Sequence, residues 1–425
     1  MEIYKVGGAV RNQLINRIYP ELKLGETDTD YVVVGSTPEE MLSKGFKQVG
    51  KDFPVFLHPE TGDEYALART ERSTGKGHGD FKFDFSNKIT LKDDLRRRDF
   101  TINAIAEDYE GICYIDPFDG KADIHHKIIR HIDPDAFMED PLRVLRGCRF
   151  AAQLGFSIYH DTLQLFKEMV ARGDLKELTK DRVWKELKKA LVSPYPRRFF
   201  DYAKECGALE VILPEIQALE RCEENPEYHP EGNTYEHTML ALEKSPAILA
   251  CRISVLFHDI GKIKSPLREG REGSRPEHPD KGVEIIKRIC KRLRIPTKYE
   301  KYSKVVCKYH MKRFEILKMR PTKILRLLSE ISGKFRNVRL YYVYIKSCYA
   351  DIQGKNNKIK SIKDLLEFYW IERWLRVLLK TCKKEKFTSI PNWEKFKPEH
   401  RDNAWFEYLA KICKTKIKGM KGEDL

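Results

Sequence analysis

Residues 2–11 read EIYKVGGAVR and residues 28–35 read DTDYVVVG. Each holds a short run of β-branched and aromatic residues, as a strand does, and each meets glycine at its end. Gly7-Gly8 lets the backbone turn sharply and approach an anion closely, with Arg11 on the first turn of a helix that follows. Taken alone, a Gly-Gly after a strand is equally an ordinary turn. The second strand is expected to carry Asp28 and Asp30, and its period of two places both carboxylates on one face. Carboxylates held that close repel each other unless a cation lies between them. Mg²⁺ suits the pair, because it accepts one or two carboxylates and takes its other ligands from water and substrate phosphates. A surface Asp pair beside a turn stays open on D-x-D alone. Glu26 shares the alternation as a flanking acid.

Outward from these strands, residues up to about 125 alternate strand-like runs (Tyr31 to Gly35, Val55 to His58, Glu64 to Arg69, Cys113 to Asp116) with turns, an α+β pattern. From about Pro141 the period changes to 3.6, through Leu142, Leu145, Arg146 and Phe150 and again from Arg182 to Leu191, so the remainder is expected to be all helical. Glu220 to Asn233 holds two prolines, a glycine and several acids and reads as a linker. The chain has 425 residues, enough for several buried cores, and its ten cysteines are scattered without a C-x-x-C pair. Reduced structural thiols follow. No apolar run is long enough for a membrane span and no secretory leader precedes Gly7, so a cytoplasmic location without membrane association is expected.

The formal charge is +15, with about +23 after Asp280 and about −8 before it. A cationic C-terminal third attracts a polyanion, which makes nucleic acid the leading partner; a solvated lysine surface stays open on charge alone. Tyr341, Tyr342, Tyr344, Tyr369, Trp370 and Trp374 lie among these lysines and fit base stacking or core packing equally well.

The ordered motifs GGAVRN (7–12), DTD (28–30), YVVVGSTPEEM (31–41), EYALARTE (64–71), RRRDFTINAIA (96–106), DPFDG (116–120), EDPLRVLRGCRF (139–150) and DRVWKEL (181–187) resemble the bacterial CCA-adding enzymes, tRNA nucleotidyltransferases of the polymerase-β-like superfamily. The match runs from Met1 to about Gly354. The resemblance implies a nucleotidyltransferase head (1–125), a helical nucleotide-selecting neck (126–220), a third domain (221–355) and a basic helical tail (356–425). It implies addition of the tRNA 3′-terminal CCA from CTP and ATP without a nucleic-acid template, with poly(A) polymerase as the alternative. Asp28 and Asp30 would hold catalytic Mg²⁺, and Gly8, Arg11 and Arg98, with Asp99 beside them, would meet triphosphate and ribose. Asp140 and Arg143, spaced i and i+3, would read the incoming base, one accepting from an exocyclic amine and the other donating to ring acceptors. Arg146 and Arg149 would continue that face toward the phosphates, buttressed by Arg182 and Glu186. Asn12 stands where the family usually has Asp and the segment to Thr27 is longer than usual; both are read as loop variation.

A second set, Tyr235-Glu236-His237-Thr238, Phe257-His258-Asp259-Ile260-Gly261-Lys262 and Asp351, resembles the HD phosphohydrolase superfamily. His237, His258, Asp259 and Asp351 would form a mixed nitrogen and oxygen shell for a divalent ion, Ni²⁺ among the candidates. His310 is a weaker candidate. His278, in a Pro-flanked loop, is as well explained by a surface histidine as by a phosphate contact. CCA-adding enzymes that carry such a domain show phosphatase and 2′,3′-cyclic phosphodiesterase activity. A homodimer is left open.

Overall fold

Alternation in Tyr31-Val32-Val33-Val34 sends neighbouring valines to opposite faces of one sheet. Val32 packs with Val6, Leu95, Ala104 and Ala106 on one side, and Val33 with Met41, Phe56, Tyr65 and Leu67 on the other. Full burial of each such side chain contributes about 1.5–3 kcal/mol. The computed structural model describes residues 1–49, 55–73, 81–84, 87–227, 229–267, 275–355, 358–386, 389 and 398–421.

The sheet contains β1 (Glu2–Val6), β2 (Asp30–Val34), β3 (Lys47–Val49), β4 (Val55–Leu57) and β5 (Glu64–Leu67). A separate hairpin, β6 (Thr70–Ser73) with β7 (Phe81–Asp84), follows, and β8 (Ala106–Asp108) and β9 (Tyr114–Ile115) complete the seven-stranded sheet in the order β3-β4-β5-β2-β1-β8-β9. β2 runs parallel to β5 and antiparallel to β1. The register sets Asp30 opposite Val6 on one side and Glu64 on the other, so the first carboxylate of β2 lies at the end of β1 where Gly7 begins. Asp28 and Thr29 precede the strand, contrary to the expectation that both acids sit within it. Pairing with β1 starts only at Asp30.

Past the sheet the chain is mainly helical, but not wholly. β10 (Ile128–Ile129) and β11 (Ser157–Ile158) form a parallel pair on either side of the helix Leu142–Leu154. Contacts group the chain into two compact units, Met1–Ala190 with Arg198–Val211, and Leu191–Arg197 with Ile212–Leu425. The first unit holds the sheet and most of the segment 126–220, whereas Leu191–Arg197 and the residues from Ile212 onward fall in the second. In the second, helices Leu249–Leu256, Thr297–Tyr309, Pro321–Ile331 and Val338–Gln353 share a core with Phe368, Leu375, Trp405 and Leu409 of the tail.

The expected linker at Glu220–Asn233 is instead part of that second unit. Glu224 is buried, accepting from Thr234 Oγ1 at 2.6 Å and from Lys262 Nζ at 2.5 Å, and Glu223 forms a bridge with Asn233. Among the expected stacking aromatics, Tyr341 and Tyr344 are core residues, whereas Tyr342, Tyr369 and Trp370 are exposed. Nine cysteines are buried and Cys113 is exposed; none forms a disulfide. Among the described residues no helix is long and apolar enough to cross a membrane.

Candidate active sites

Gly7 has φ +76°, in the region that favours glycine, and serves as N-cap of the helix Gly8–Ile18. A Cβ there would meet Asp30 Oδ2 and Arg98 Nη1, each at 3.4 Å, so the turn, the carboxylate and the guanidinium converge on one point. Burial pushes the Asp30 carboxyl up; Arg98 opposes this, and Glu64 and Asp28 add to it. Three acids therefore share a field rich in negative charge, the condition a cation relieves. In the sequence Glu64 reads as an ordinary strand residue. Its signal is the β2–β5 register, which only the fold supplies.

Arg98 is held by Asp94, whose Oδ2 accepts from Nη2 at 3.3 Å while its Oδ1 accepts from Arg97 at 2.8 Å. Asp94 is fully buried. Burial raises its pKa, but the two arginines outweigh that and hold the carboxyl below the usual range. Arg98 Nε is buried without a partner, an orphaned donor at the edge of the acid group.

Arg11 is buried beneath the Gly7-Gly8 turn. It donates to Asn103 Oδ1 at 2.6 Å and twice to Asn12 Oδ1, at 2.8 and 3.1 Å, while Asn12 Nδ2 donates to the Gly25 carbonyl at 2.9 Å. Asn12 is therefore no loop variation: it lies within the first helix and ties Arg11 to the segment leading to Asp28. Burial, together with Arg149 and Arg146, lowers the Arg11 pKa to about 10. Asn103 also donates to Asp99 Oδ1 at 2.8 Å, and Asp99 Oδ2 accepts from Arg146 at 2.6 Å. Against the cost of burial, Arg146 holds the Asp99 carboxyl at about 2.

Asp140 stands just before the helix Leu142–Leu154 rather than inside it. Its Oδ1 accepts from the Leu142 amide at 3.1 Å, and Arg143 N donates to its carbonyl at 3.0 Å. Its Oδ2 accepts from Arg182 at 2.8 Å. Arg143 donates to the carbonyls of Ala136 (2.9 Å) and Arg97 (2.6 Å), which orients its guanidinium. Arg149, expected to face phosphate, is 5% exposed, donates to Glu186 Oε2 at 2.5 Å and lies 3.8 Å over the Phe150 ring. Its charge is taken inside the fold by Glu186, and its Nη1 donates to Gln153 Oε1 at 2.7 Å.

In the second unit, six groups meet. His237 Nε2 lies 3.2 Å from Asp351 Oδ1, and His258 Nε2 lies 3.3 Å from Asp259 Oδ2 and 3.9 Å from Asp351 Oδ1. Asp259 Oδ1 faces His278 at 3.3 Å and His310 at 3.2 Å. The four residues predicted as a shell thus come together, and His278 and His310 join them. His278 is buried at the start of the helix His278–Arg292, not on the surface.

The imidazoles share one orientation. Nδ1 of His258, His278 and His310 lies 2.7, 2.7 and 2.9 Å from the carbonyl three residues earlier, and Nδ1 of His237 lies 2.9 Å from Glu231 Oε1. Those partners only accept, so each Nδ1 carries the proton and each Nε2 is left to face the centre. His258 Nε2 is buried without a hydrogen-bond partner, Asp259 Oδ1 faces the two histidines, and Asp351 Oδ2 lies 2.6 Å from Arg313 Nη1. Burial disfavours the Asp259 carboxylate, yet His258 and Lys262 keep its pKa well below the usual range; likewise Arg313, 2.6 Å from Asp351, keeps that carboxyl low. Deprotonated carboxylates and inward Nε2 atoms are a divalent-metal donor set. At His237 burial is outweighed by the Asp351 and Glu231 carboxylates, which push the pKa up to about 9, so a metal there would displace its second proton. Sequence reading missed Arg313, Glu231 and His229, and gave Lys262 no role beyond its place in the motif; Glu231 and His229 sit in a His-Pro-Glu-Gly turn with no periodic pattern to mark them.

A Gly-turned acid site on a mixed sheet and a buried His/Asp centre among helices define a nucleotidyltransferase head joined to an HD domain. Family models agree: "Poly A polymerase head domain" matches residues 3–130, "Probable RNA and SrmB- binding site of polymerase A" 155–219, and "HD domain" 229–332. A "Multifunctional CCA protein" of Acinetobacter baumannii (strain SDF) is 45% identical over 361 residues, 84% of this chain and 85% of the relative. That of Alkalilimnicola ehrlichii is 44% identical, with 84% of each covered. The chain belongs to the multifunctional CCA protein family. In fold it is similar to the Thermotoga maritima CCA-adding enzyme complexed with tRNA (TM-score 0.60, 18% identity, 100% of this chain and 92% of that one). It is also similar to the Bacillus stearothermophilus CCA-adding enzyme in complex with CTP (TM-score 0.53, 21% identity, 98% and 94%).

Proposed function

We propose that the chain adds and repairs the 3′-terminal CCA of tRNA, using CTP and ATP without a nucleic-acid template, and that its HD domain hydrolyses phosphate esters, including 2′,3′-cyclic phosphodiesters. The observation that carries the first part is the meeting of Asp30 and Arg98 at the Gly7 turn, with Glu64 paired beside Asp30 on β5. Asp28 and Asp30, with Glu64 beside them, would hold Mg²⁺. The ion supplies alignment of a 3′-hydroxyl with an α-phosphate and neutralises developing charge.

The protein's own contribution is positioning. Gly8, Arg11 and Arg98 line the turn for a triphosphate, with Arg146 behind them and Arg149 supporting from within. Asp140 and Arg143, held by Arg182 and by carbonyls, are poised to accept from the amine of C or A and to donate to its ring, which disfavours G and U. In the HD centre, His237, His258, Asp259 and Asp351 would hold a divalent ion, Ni²⁺ being favoured by the imidazoles, with His278 and His310 on the far oxygen of Asp259.

Incubation with tRNA lacking its 3′ end and CTP alone tests the reading. Incorporation of C is expected; a long A tail when ATP is supplied would establish poly(A) polymerase instead.

A further inference from the structure

A cleft of about 660 Å³ opens in the second unit just beyond the ligand-bearing turn His310–Phe314. Five cationic side chains line it, Lys312, Lys318, Arg320, Lys323 and Arg326, against the carboxylates of Glu315 and Glu330. Glu315 is taken by Lys312 at 2.9 Å, and Glu330 lies against the Tyr309 hydroxyl, whose pKa burial and this carboxylate push up to about 12. The Arg326 guanidinium rests over Phe406 and donates to Asn403. Among the described residues no carboxylate pairs with Lys318, Arg320 or Lys323.

Arg320 is the N-cap of the helix Pro321–Ile331, and Lys323 and Arg326 follow at steps of three, a stripe about 9 Å long. That helix has no acid in its first turn and no side-chain cap, so the positive end of its dipole adds to the stripe. Unpaired cations in a row along an open cleft match a chain of phosphates better than one compact anion.

We infer that this cleft is a second RNA-backbone site, holding consecutive phosphates of tRNA beside the HD centre, separate from the nucleotide site of the head. The inference rests on the reading of tRNA as substrate, and it assigns part of the grip to Lys318, Arg320 and Lys323 rather than to the Lys-rich stretch Lys355 to Lys363.

Lysine acylation of the full-length protein, read by mass spectrometry, tests it with tRNA lacking CCA and, separately, with ATP. Lys318 and Lys323 are both exposed, so each is open to the reagent. Protection of both by tRNA, lost as salt rises, with none from ATP, is expected. In the variant Lys318→Ala/Arg320→Ala/Lys323→Ala the slope of log affinity for tRNA against log salt should fall by about 2 to 3, near one per lost contact. CTP incorporation at saturating tRNA should be unchanged. Equal protection by ATP would make the cleft a nucleotide pocket and overturn the inference. Tight tRNA binding that leaves both lysines reactive would overturn the inference alone, and absence of tRNA binding by the unaltered protein would overturn the tRNA reading as well. Should the triple variant fail to fold, the acylation pattern of the unaltered protein decides.

Discussion

Asp30 is an exposed residue at the start of β2, yet partial burial of its carboxyl, together with Glu64 and Asp28, pushes its proton affinity up. A residue placed so unfavourably for its own charge is explained by a cation, so Asp28→Ala or Asp30→Ala should abolish CTP and ATP incorporation while tRNA retention on a filter persists. Near-normal incorporation by either variant would refute the assignment. Asp99 makes the opposite case. Its pKa falls from the ordinary 3.8 to about 2, because Arg146 and Asn103 favour the ionised form more than burial opposes it. A depressed carboxyl stabilises the fold above its unfolded pKa and loses that contribution as pH falls through the folded value. Asp99 therefore contributes roughly 2 kcal/mol at neutral pH. Chemical unfolding of Asp99→Asn between pH 7 and pH 2 should show a deficit at pH 7 that shrinks below pH 4. A deficit independent of pH would assign the loss to packing.

At the level of elements, the meeting of His278 with Asp259 depends on a close crossing. A Cβ on Gly261 would fall onto the His278 carbonyl oxygen and 2.6 Å from the Gly282 amide, so the turn after His258-Asp259 touches the backbone of the helix His278–Arg292. Gly261→Ala should lower HD hydrolysis at least tenfold and cost about 1–3 kcal/mol in stability, while leaving CTP incorporation intact. Loss of both activities together would mean global unfolding instead. In the neck, Asp140→Ala removes the acceptor that Arg182 orients. Discrimination against UTP or GTP should relax by roughly 1–3 kcal/mol, the value of one bidentate contact. Equal slowing of all four nucleotides would make Asp140 structural. These elements also show what the sequence could carry. The alternation in Tyr31 to Val34 and the spacing of His258-Asp259 are periodic and local, so both were legible. Glu64, Glu231 and Arg313 act through strand register or contacts between distant segments, which no local pattern encodes. Asp28 lies outside its expected strand because the β1 ladder begins at Asp30, two residues later than alternation alone suggests.

For the molecule as a whole, the two proposed sites belong to different compact units. Asp28, Asp30, Arg98 and Asp140 lie within Met1–Ala190, and His237, His258, Asp259 and Asp351 within Ile212–Leu425. The chain leaves the first unit near Leu191 and again near Ile212, not through Glu220–Asn233, so that acidic segment belongs to the HD side. No side chain is common to both sets, which predicts two activities that fail one at a time. Asp259→Asn takes a charge from the HD centre alone, so hydrolysis of 2′,3′-cyclic nucleotides should vanish and CCA addition survive; Asp28→Asn should do the reverse. The metal preference should divide along the same line. An all-carboxylate head matches Mg²⁺, whereas four inward imidazole nitrogens favour softer ions. After dialysis against a chelator, Mg²⁺ should restore CCA addition, and Ni²⁺ should restore hydrolysis at lower concentration than Mg²⁺ does. Equal restoration of both activities by Mg²⁺ alone would remove the donor-set argument, and hydrolysis undiminished in Asp259→Asn would leave the His and Asp centre a structural remnant in a protein with one activity.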